Sequence, residues 1–142
     1  MIALLDANVL IALFDAAHVN HAAAQSWLTA KRSLGWATCP LTQNACLRVL
    51  SQPNYPGHLG IADLSRRLSN AIAAPDHAFW EDSISLCDST RFRHDRILSP
   101  RQLTDLYLLA LAVEHDARLV TFDQSIPFSA VCGAQAKHLE VV

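Results

Sequence analysis

Two short stretches of the chain decide its fold: IALLD at residues 2–6 and LVTFD at residues 119–123. Each is a short, mostly apolar run, which is typical of a buried strand, and each ends in an aspartate. Helical patterns lie between them, and strands that alternate with helices predict an α/β fold with a mostly parallel sheet. Because ligands of open α/β sheets bind at the carboxyl ends of strands, Asp6 and Asp123 are the first candidates for a functional site.

The rest of the chain divides into short apolar runs and stretches with apolar residues at helical spacing. The predicted helices cover residues 8–14, about 18–31, 42–50 with Thr42 as the cap, and 61–72. The predicted further strands cover residues 34–39, 77–80, 118–122 and 139–142. Residues 81–98 follow no clear pattern and stay ambiguous.

A third aspartate lies near the start of the most apolar helix. Ser99-Pro100-Arg101-Gln102 is a helix start, with serine at the N-cap, proline at the first helical position and glutamine where a capping box needs it. The helix runs to about His115 and is apolar nearly all round from residue 106 to residue 113, which predicts deep burial. A charge on Asp105 is costly in that helix unless it has a partner.

Three carboxylates that meet at one end of a sheet repel each other, and a divalent cation removes that repulsion. Ligation by oxygen alone suits magnesium or manganese. Each aspartate also has an ordinary structural interpretation: Asp6 as a helix cap, Asp123 as a turn residue, and Asp105 as a charge that favours a helix N-terminus. Asn8 and Thr121 lie close to these acids and are predicted to hydrogen-bond either to them or to local backbone.

Composition limits the class of protein. The chain has 142 residues, of which 51% are apolar and 17% charged, so we expect one globular domain. No apolar run approaches the roughly 18 residues that cross a bilayer, and no signal peptide is visible, so we expect a cytoplasmic protein. The net charge of −2 argues against broad electrostatic binding of nucleic acid, although a metal-dependent nuclease stays possible.

The motifs resemble those of a known family. Leu4-Leu5-Asp6-Ala7-Asn8-Val9-Leu10 resembles the opening motif of PIN domains, residues 104–112 resemble the third motif, and residues 119–123 the fourth. Residues 40–44 and 47–51 are similar to the second-motif region of VapC toxins, which belong to type II toxin–antitoxin systems. The resemblance implies a single PIN domain over residues 1–142, folded as a three-layer α/β/α sandwich.

The resemblance also implies an activity and partners. It predicts an endoribonuclease that depends on Mg²⁺ (or Mn²⁺), with Asp6, Asp105 and Asp123 as catalytic and metal-binding residues. It predicts an RNA substrate, a cognate VapB-type antitoxin and a homodimer. One departure stands out, because most PIN domains carry a glutamate in the second motif, whereas this chain has the neutral Gln43 and Asn44 there. We predict Asn44 as the counterpart of that glutamate, where its amide orients a water molecule but adds no charge.

A local basic set follows the ambiguous segment. It consists of Arg91, Arg93, Arg96 and Arg101. These side chains are predicted to hold RNA phosphates, and a solvated face or a face for the antitoxin explains them equally well.

Three alternatives to the ribonuclease stay open. A magnesium-dependent phosphatase would use Asp6 as nucleophile, but the lysine it needs later in the chain has only Lys31 and Lys137 as candidates. A receiver-like signalling domain would need adjacent early acids, which are missing. The absent glutamate also allows a catalytically weak PIN domain that acts only as a binding module.

Overall fold

A five-stranded sheet lies at the centre of the computed structural model, which describes all 142 residues. The strands are β1 (Ala3–Leu5), β2 (Trp36–Thr38), β3 (His77–Phe79), β4 (Arg118–Thr121) and β5 (Leu139–Val141). Their order across the sheet is β3-β2-β1-β4-β5, and every neighbouring pair is parallel. The sequence predicted a mostly parallel sheet, and the structure confirms that prediction. Because β1 is the middle strand, its carboxyl end lies at the centre of the sheet edge.

Five helices cover the two faces of the sheet. They are α1 (Ala7–Phe14), α2 (His21–Lys31), α3 (Pro40–Leu50), α4 (Ile61–Ile72) and α5 (Leu103–Glu114). Alternate side chains of a strand point to opposite faces, so Leu4 and Leu119 pack in one apolar core with α5. Ala3, Leu5 and Val120 pack in the other core, with α1, α3 and α4. This arrangement confirms the predicted three-layer α/β/α sandwich.

Helix α5 fills its side of the molecule. All seven residues from Leu106 to Ala112 are buried, as the unbroken apolar run predicted. A helix buried on every side is fixed by its packing rather than by one amphipathic stripe. At 12 residues it is still too short to cross a bilayer, and none of the other helices has the length and apolar character to do so.

The start of α5 follows the predicted signal with one difference. The Ser99 hydroxyl accepts a hydrogen bond from the backbone N–H of Arg101 at 3.3 Å, so the predicted cap is confirmed. The side chain of Gln102 accepts from the backbone N–H of Leu98 and not from that of Ser99, as a capping box would require. The first turn, Pro100–Gln102, is a 3₁₀ turn that leads into α5.

Helix α3 begins two residues before its predicted cap. Pro40 takes the first helical position, where its missing N–H costs nothing. Thr42 therefore lies inside the first turn, and its hydroxyl accepts from the backbone N–H of Cys39 at 3.1 Å. The prediction of Thr42 as the cap residue was wrong, because proline fixes the start of the helix more strongly than the threonine hydroxyl.

The ambiguous segment, residues 81–98, is irregular in the structure. It contains one 3₁₀ turn, His94–Arg96. An isolated antiparallel bridge between Phe92 and Val131 holds it to the end of the chain. Phe92 is 1% exposed and anchors the segment in the core beside α5, together with the partly buried Ile84, Leu86 and Ile97.

The packing of α5 gives a stability prediction. Leu108 is fully buried, whereas Leu98 is 83% exposed just before the helix. We expect Leu108→Ala to lower the free energy of unfolding by about 2–5 kcal/mol, because it removes apolar contacts and leaves a cavity. The matched change Leu98→Ala should alter it by less than about 0.5 kcal/mol. Urea denaturation followed by circular dichroism measures both, and equal effects of the two variants would contradict the described packing.

Candidate active site

The carboxyl ends of β1 and β4 lie side by side at the middle of the sheet edge. Leu5 pairs with Val120 in the parallel register. The next residue, Asp6, donates its backbone N–H to the carbonyl of Val120 at 2.9 Å. The ladder between the strands therefore fixes Asp6 beside Thr121, and the Asp6 residue is only 5% exposed.

One hydroxyl group joins the two motifs at this edge. The Thr121 hydroxyl donates to Oδ2 of Asp6 at 2.7 Å. The hydroxyl oxygen of Thr121 itself accepts from the Asn8 side-chain amide and from the backbone N–H of Asp123, each at 3.1 Å. The Asn8 amide oxygen in turn accepts from the backbone N–H of Phe122 at 3.4 Å. Of the two predicted bonding patterns, Thr121 therefore forms the bond to an aspartate. Asn8 reaches the Asp6 carboxylate only indirectly, because its side chain donates to the Thr121 hydroxyl.

Asp123 lies in a tight turn directly after β4. Its Oδ1 accepts two hydrogen bonds from Ser125, one from the backbone N–H at 2.8 Å and one from the hydroxyl at 2.7 Å. These donors lower the pKa of Asp123 below its usual range. The turn interpretation of Asp123 is confirmed, and the turn holds the carboxylate in its charged form near the other acids, as the site interpretation requires.

Asp105 reaches the same edge from the first turn of α5. Burial is the main cause that raises its pKa to about 6, and the negative charges of Asp6 and Asp123 raise it further. Charges of like sign shift a pKa in this way only when they are close. The structure therefore brings together the three aspartates that the sequence predicted.

Asp6 has a raised pKa as well. Burial outweighs the Thr121 hydroxyl and the nearby backbone amides of Ala7 and Asn8, which all favour its charged form. Two of the three carboxylates are therefore held where a negative charge is costly, and a cation would relieve that cost.

The donor set fits a magnesium ion. All three side chains offer oxygen, which suits hard divalent cations. No group of three or more acidic, histidine or cysteine side chains is arranged so that it could hold a metal ion without some movement. An open arrangement is what Mg²⁺ usually meets in proteins, because it keeps several waters and takes only one or two carboxylates.

The two second-motif residues have different surroundings on α3. Asn44 is exposed and lines a surface hollow with Arg48 and Ile61, and no hydrogen bond links it to the aspartates. The Gln43 side chain instead donates to the hydroxyl of Thr38 at 2.9 Å, at the carboxyl end of β2. Asn44 thus lies on the exposed side of α3, and its role as a site residue stays a prediction.

The predicted basic set is divided between two ends of α5. Arg91 forms an ion pair with Glu114 at the last residue of the helix, and a longer one with Asp88 at 3.6 Å. Nine residues separate Asp105 from Glu114, so Arg91 lies about 13 Å along the helix from the acids. Its charge is engaged by Glu114 at that end of the helix, and its role as an RNA contact stays a prediction.

The other three arginines differ in whether their side chains have a partner in the protein. Arg93 donates to the carbonyl of Ser129 at 2.9 Å. Arg96 and Arg101 are exposed and take part in none of the salt bridges of the protein. Arg101 precedes Asp105 by four residues, so its free charge lies closest to the acidic cluster along the chain.

Comparison with known proteins agrees with this geometry. The model of the PIN domain family matches residues 3–134. The chain is 50% identical over 139 residues to Ribonuclease VapC44 of Mycobacterium tuberculosis, covering 98% of each chain. It is 44% identical over 125 residues to Ribonuclease VapC38 of the same species, covering 87% of this chain and 86% of the relative. The chain is therefore a member of the PIN domain family, in its VapC ribonuclease branch.

Solved structures share the fold at low sequence identity. VapBC2 from Rickettsia felis, bound to a DNA fragment from its promoter, matches with a TM-score of 0.65 and 13% identity over 100% of this chain and 99% of that one. VapC20 of Mycobacterium tuberculosis matches with a TM-score of 0.63 and 12% identity over 93% and 98%. Membership of the family replaces the phosphatase and receiver alternatives.

The crowding of like charges gives a prediction for the protein without divalent metal. Because the folded protein raises the pKa of Asp105 to about 6 from an ordinary 3.8, the folded state binds this proton more tightly than the unfolded state. Asp105 therefore destabilises the fold increasingly as the pH rises from about 4 to about 6. After a discount for partial exposure, Asp105→Asn should raise the free energy of unfolding by about 1–2 kcal/mol at pH 7.5.

Urea denaturation of the normal protein and of Asp105→Asn tests this prediction, with each protein measured at pH 7.5 and at pH 4 in the presence of a chelator. The gain should nearly vanish at pH 4, where Asp105 is protonated in the folded protein. The matched variant Asp95→Asn changes an exposed carboxylate and should show no such pH-dependent gain. A gain of equal size at both pH values would mean that packing, and not charge, causes it.

Proposed function

We propose that this protein is the toxin of a type II toxin–antitoxin pair and cleaves RNA with a divalent cation held at the cluster of Asp6, Asp105 and Asp123. The observation that carries the proposal is the meeting of three carboxylates at the centre of the sheet edge, where two have raised pKa values. Membership of the VapC ribonucleases supports RNA as the substrate and internal phosphodiester bonds as the target.

The three aspartates take different parts in this proposal. Asp6 and Asp105 hold Mg²⁺ (or Mn²⁺), because they are the two acids whose charge most needs a cation. When bound there, such an ion would supply polarisation of the scissile phosphate and a lower pKa for water. Asp123 is kept charged by Ser125 and orients a water molecule through its carboxylate. Thr121 fixes the Asp6 carboxylate, as groups behind metal ligands commonly do.

The same negative cluster explains how an antitoxin would inhibit the enzyme. A VapB-type antitoxin that places a lysine or arginine beside the aspartates would neutralise them and occupy the site of the metal. The complex of VapBC2 from Rickettsia felis supports a partner of this kind. We further propose that the toxin forms a homodimer through its helices, as the family resemblance implies.

Loss of Asp6 should abolish cleavage. We expect Asp6→Asn to lower the rate of cleavage of RNA in Mg²⁺ by at least about 100-fold, and Thr121→Val by about 10–100-fold, the usual cost of removing a group behind a metal ligand. The assay is gel electrophoresis of total RNA from a host cell, incubated with each variant. Asp95→Asn is the surface control and should cleave normally.

A chelator should reproduce the effect of Asp6→Asn on the normal protein. Cleavage that continues in the chelator, or an Asp6→Asn variant that cleaves at the normal rate, contradicts the metal centre. Absence of cleavage by the normal protein, with growth unaffected when it is expressed alone, would favour the binding module instead.

The division of the arginines gives a second prediction. The test uses an Asp6→Asn background, which we expect to bind RNA without cutting it. In that background Arg101→Ala should weaken RNA binding several-fold. It should also reduce the slope of log affinity against log salt concentration by about one. Arg91→Ala should leave both unchanged, because that charge is paired with Glu114 at the far end of α5. Fluorescence anisotropy of labelled single-stranded RNA at several salt concentrations measures both. Equal losses for the two variants would show that the basic set acts as one diffuse patch.

A further inference from the structure

A surface hollow lies on the exposed side of α3. We call it the Arg48 hollow, and its volume is about 360 Å³. Five residues line it, and they are Asn44, Leu47, Arg48, Ser51 and Ile61. This volume lies within the range of sites that bind small ligands. The hollow therefore has room for one unit of a larger ligand, such as a single nucleotide.

The polar side chains of the hollow are open to a ligand. Arg48 is exposed and takes part in none of the salt bridges of the protein. The hydroxyl of Ser51 donates to the backbone carbonyl of Arg48 at 3.4 Å and leaves its guanidinium group free. Asn44 is exposed one turn earlier and lies on the same side of the helix, because residues four apart are neighbours. A guanidinium and an amide in this arrangement suit the oxygens of a phosphate and its sugar.

Helix α3 starts at the same edge of the sheet as the aspartates. Cys39 follows β2 just as Asp6 follows β1, and these two strands are paired neighbours. The helix begins at the next residue, Pro40. At 1.5 Å per residue, Asn44 lies about 7 Å and Arg48 about 13 Å along the helix from Cys39. One phosphate group cannot span that distance from the sheet edge, whereas a strand of RNA can.

Acidic residues are missing from a long part of the chain around this hollow. Residues 16–62 contain no aspartate or glutamate, although the whole chain has 13 acidic residues. The same stretch contains Lys31, Arg32 and Arg48. Arg32 is paired with Asp76, so its charge is engaged, whereas that of Arg48 is not. A protein with a net charge of −2 thus has a local region of positive charge, which attracts a polyanion.

The two acids that border this stretch do not neutralise Arg48. Asp15 accepts a hydrogen bond from the hydroxyl of Tyr55 at 2.5 Å. Asp63 is paired with Arg66 at 2.8 Å. Each carboxylate therefore has its own partner, and the positive charge of the hollow stays available.

We propose that the Arg48 hollow binds a nucleotide of the RNA substrate some way along the strand from the cleaved bond. The Arg48 guanidinium donates to the phosphate oxygens, and the Asn44 amide donates to another oxygen of the same nucleotide. Ile61, which is 65% exposed, contacts the sugar. The inference rests on the proposed ribonuclease function, because the strand that enters the hollow is the one cleaved at the aspartates.

An acidic segment of a partner protein would also pair with Arg48. The start of α3 at the edge with the aspartates favours RNA, because a substrate strand that leaves this edge along α3 carries a negative charge at every nucleotide. Binding of an acidic peptide is therefore an outcome of the test and not the proposal.

The amide of Asn44 gives a direct test of the location. The full chain with Asp6→Asn is labelled with ¹⁵N, and the side-chain amide resonance of Asn44 is assigned with Asn44→Ala. Asn70 is exposed and lines a different hollow, so its amide is the internal control. The probe is single-stranded decauridine, which forms no base pairs with itself. We expect decauridine to shift the Asn44 resonance and to leave that of Asn70 in place.

Affinity tests the role of the charge. Fluorescence anisotropy of labelled decauridine is measured at several salt concentrations in the same Asp6→Asn protein. Arg48→Ala should weaken binding about 3–5-fold, as expected for one exposed charge pair. It should also reduce the slope of log affinity against log salt concentration by about one, whereas Arg48→Lys should keep most of that slope. The matched control is Arg66→Ala, which removes an exposed arginine that is paired with Asp63 and should change neither quantity.

Several results overturn the RNA site at α3. They are an Asn44 resonance that stays in place while decauridine binds, equal losses for Arg48→Ala and Arg66→Ala, or a shift of Asn44 that only an acidic peptide produces. Cleavage of total RNA by the protein with Asp6 intact separates this failure from failure of the proposed function. Magnesium-dependent cleavage together with any of these results removes the Arg48 hollow alone, whereas absence of cleavage of any RNA removes the ribonuclease.

Discussion

The burial of one carboxylate, that of Asp6, governs the rest of this site. The parallel ladder between β1 and β4 forces the residue after Leu5 into the middle of the sheet edge, where it is 5% exposed. The Thr121 hydroxyl fixes its Oδ2 at 2.7 Å but does not offset the loss of water around it, so its pKa is raised. The other side chains at this edge of the sheet either add to the unfavourable negative charge of Asp6 or compensate for it.

Helix α5 adds to the charge by holding Asp105 against the same edge. A charged first turn would normally move toward water, but the seven buried residues that follow, from Leu106 to Ala112, fix the position of the helix. The free energy of apolar packing thus holds two like charges together. This is typical of functional sites, where a local cost is kept because the surrounding core determines the geometry.

The sequence predicted the strands, the helices and the three aspartates because each depends on local pattern and on one topological rule. Acids that follow neighbouring parallel strands lie at the same edge of the sheet. The proximity of Asp6 and Asp123 could therefore be predicted without any measured distance. The direction of the Asn44 side chain could not be predicted from this rule. Adjacent residues of a helix differ by 100° in direction, and only packing shows that Gln43 faces Thr38 while Asn44 faces solvent.

Long-range contacts are what local sequence patterns could not predict. Arg91 finds its partner, Glu114, 23 residues later, and no local pattern reveals that ion pair. Segment 81–98 is irregular in the structure, so it offered no periodicity to interpret. The bridge between Phe92 and Val131, which holds this segment, joins residues far apart in sequence.

The contrast between Asp105 and Asp123 shows how one residue type acquires two properties. Ser125 donates two hydrogen bonds to Asp123 and lowers its pKa, whereas burial and the two neighbouring charges raise that of Asp105 to about 6. Without a cation, a proton shared at this edge therefore resides on Asp105 and not on Asp123. The turn after β4 and the apolar packing of α5 thus separate an acid that stays charged from one that keeps its proton up to about pH 6.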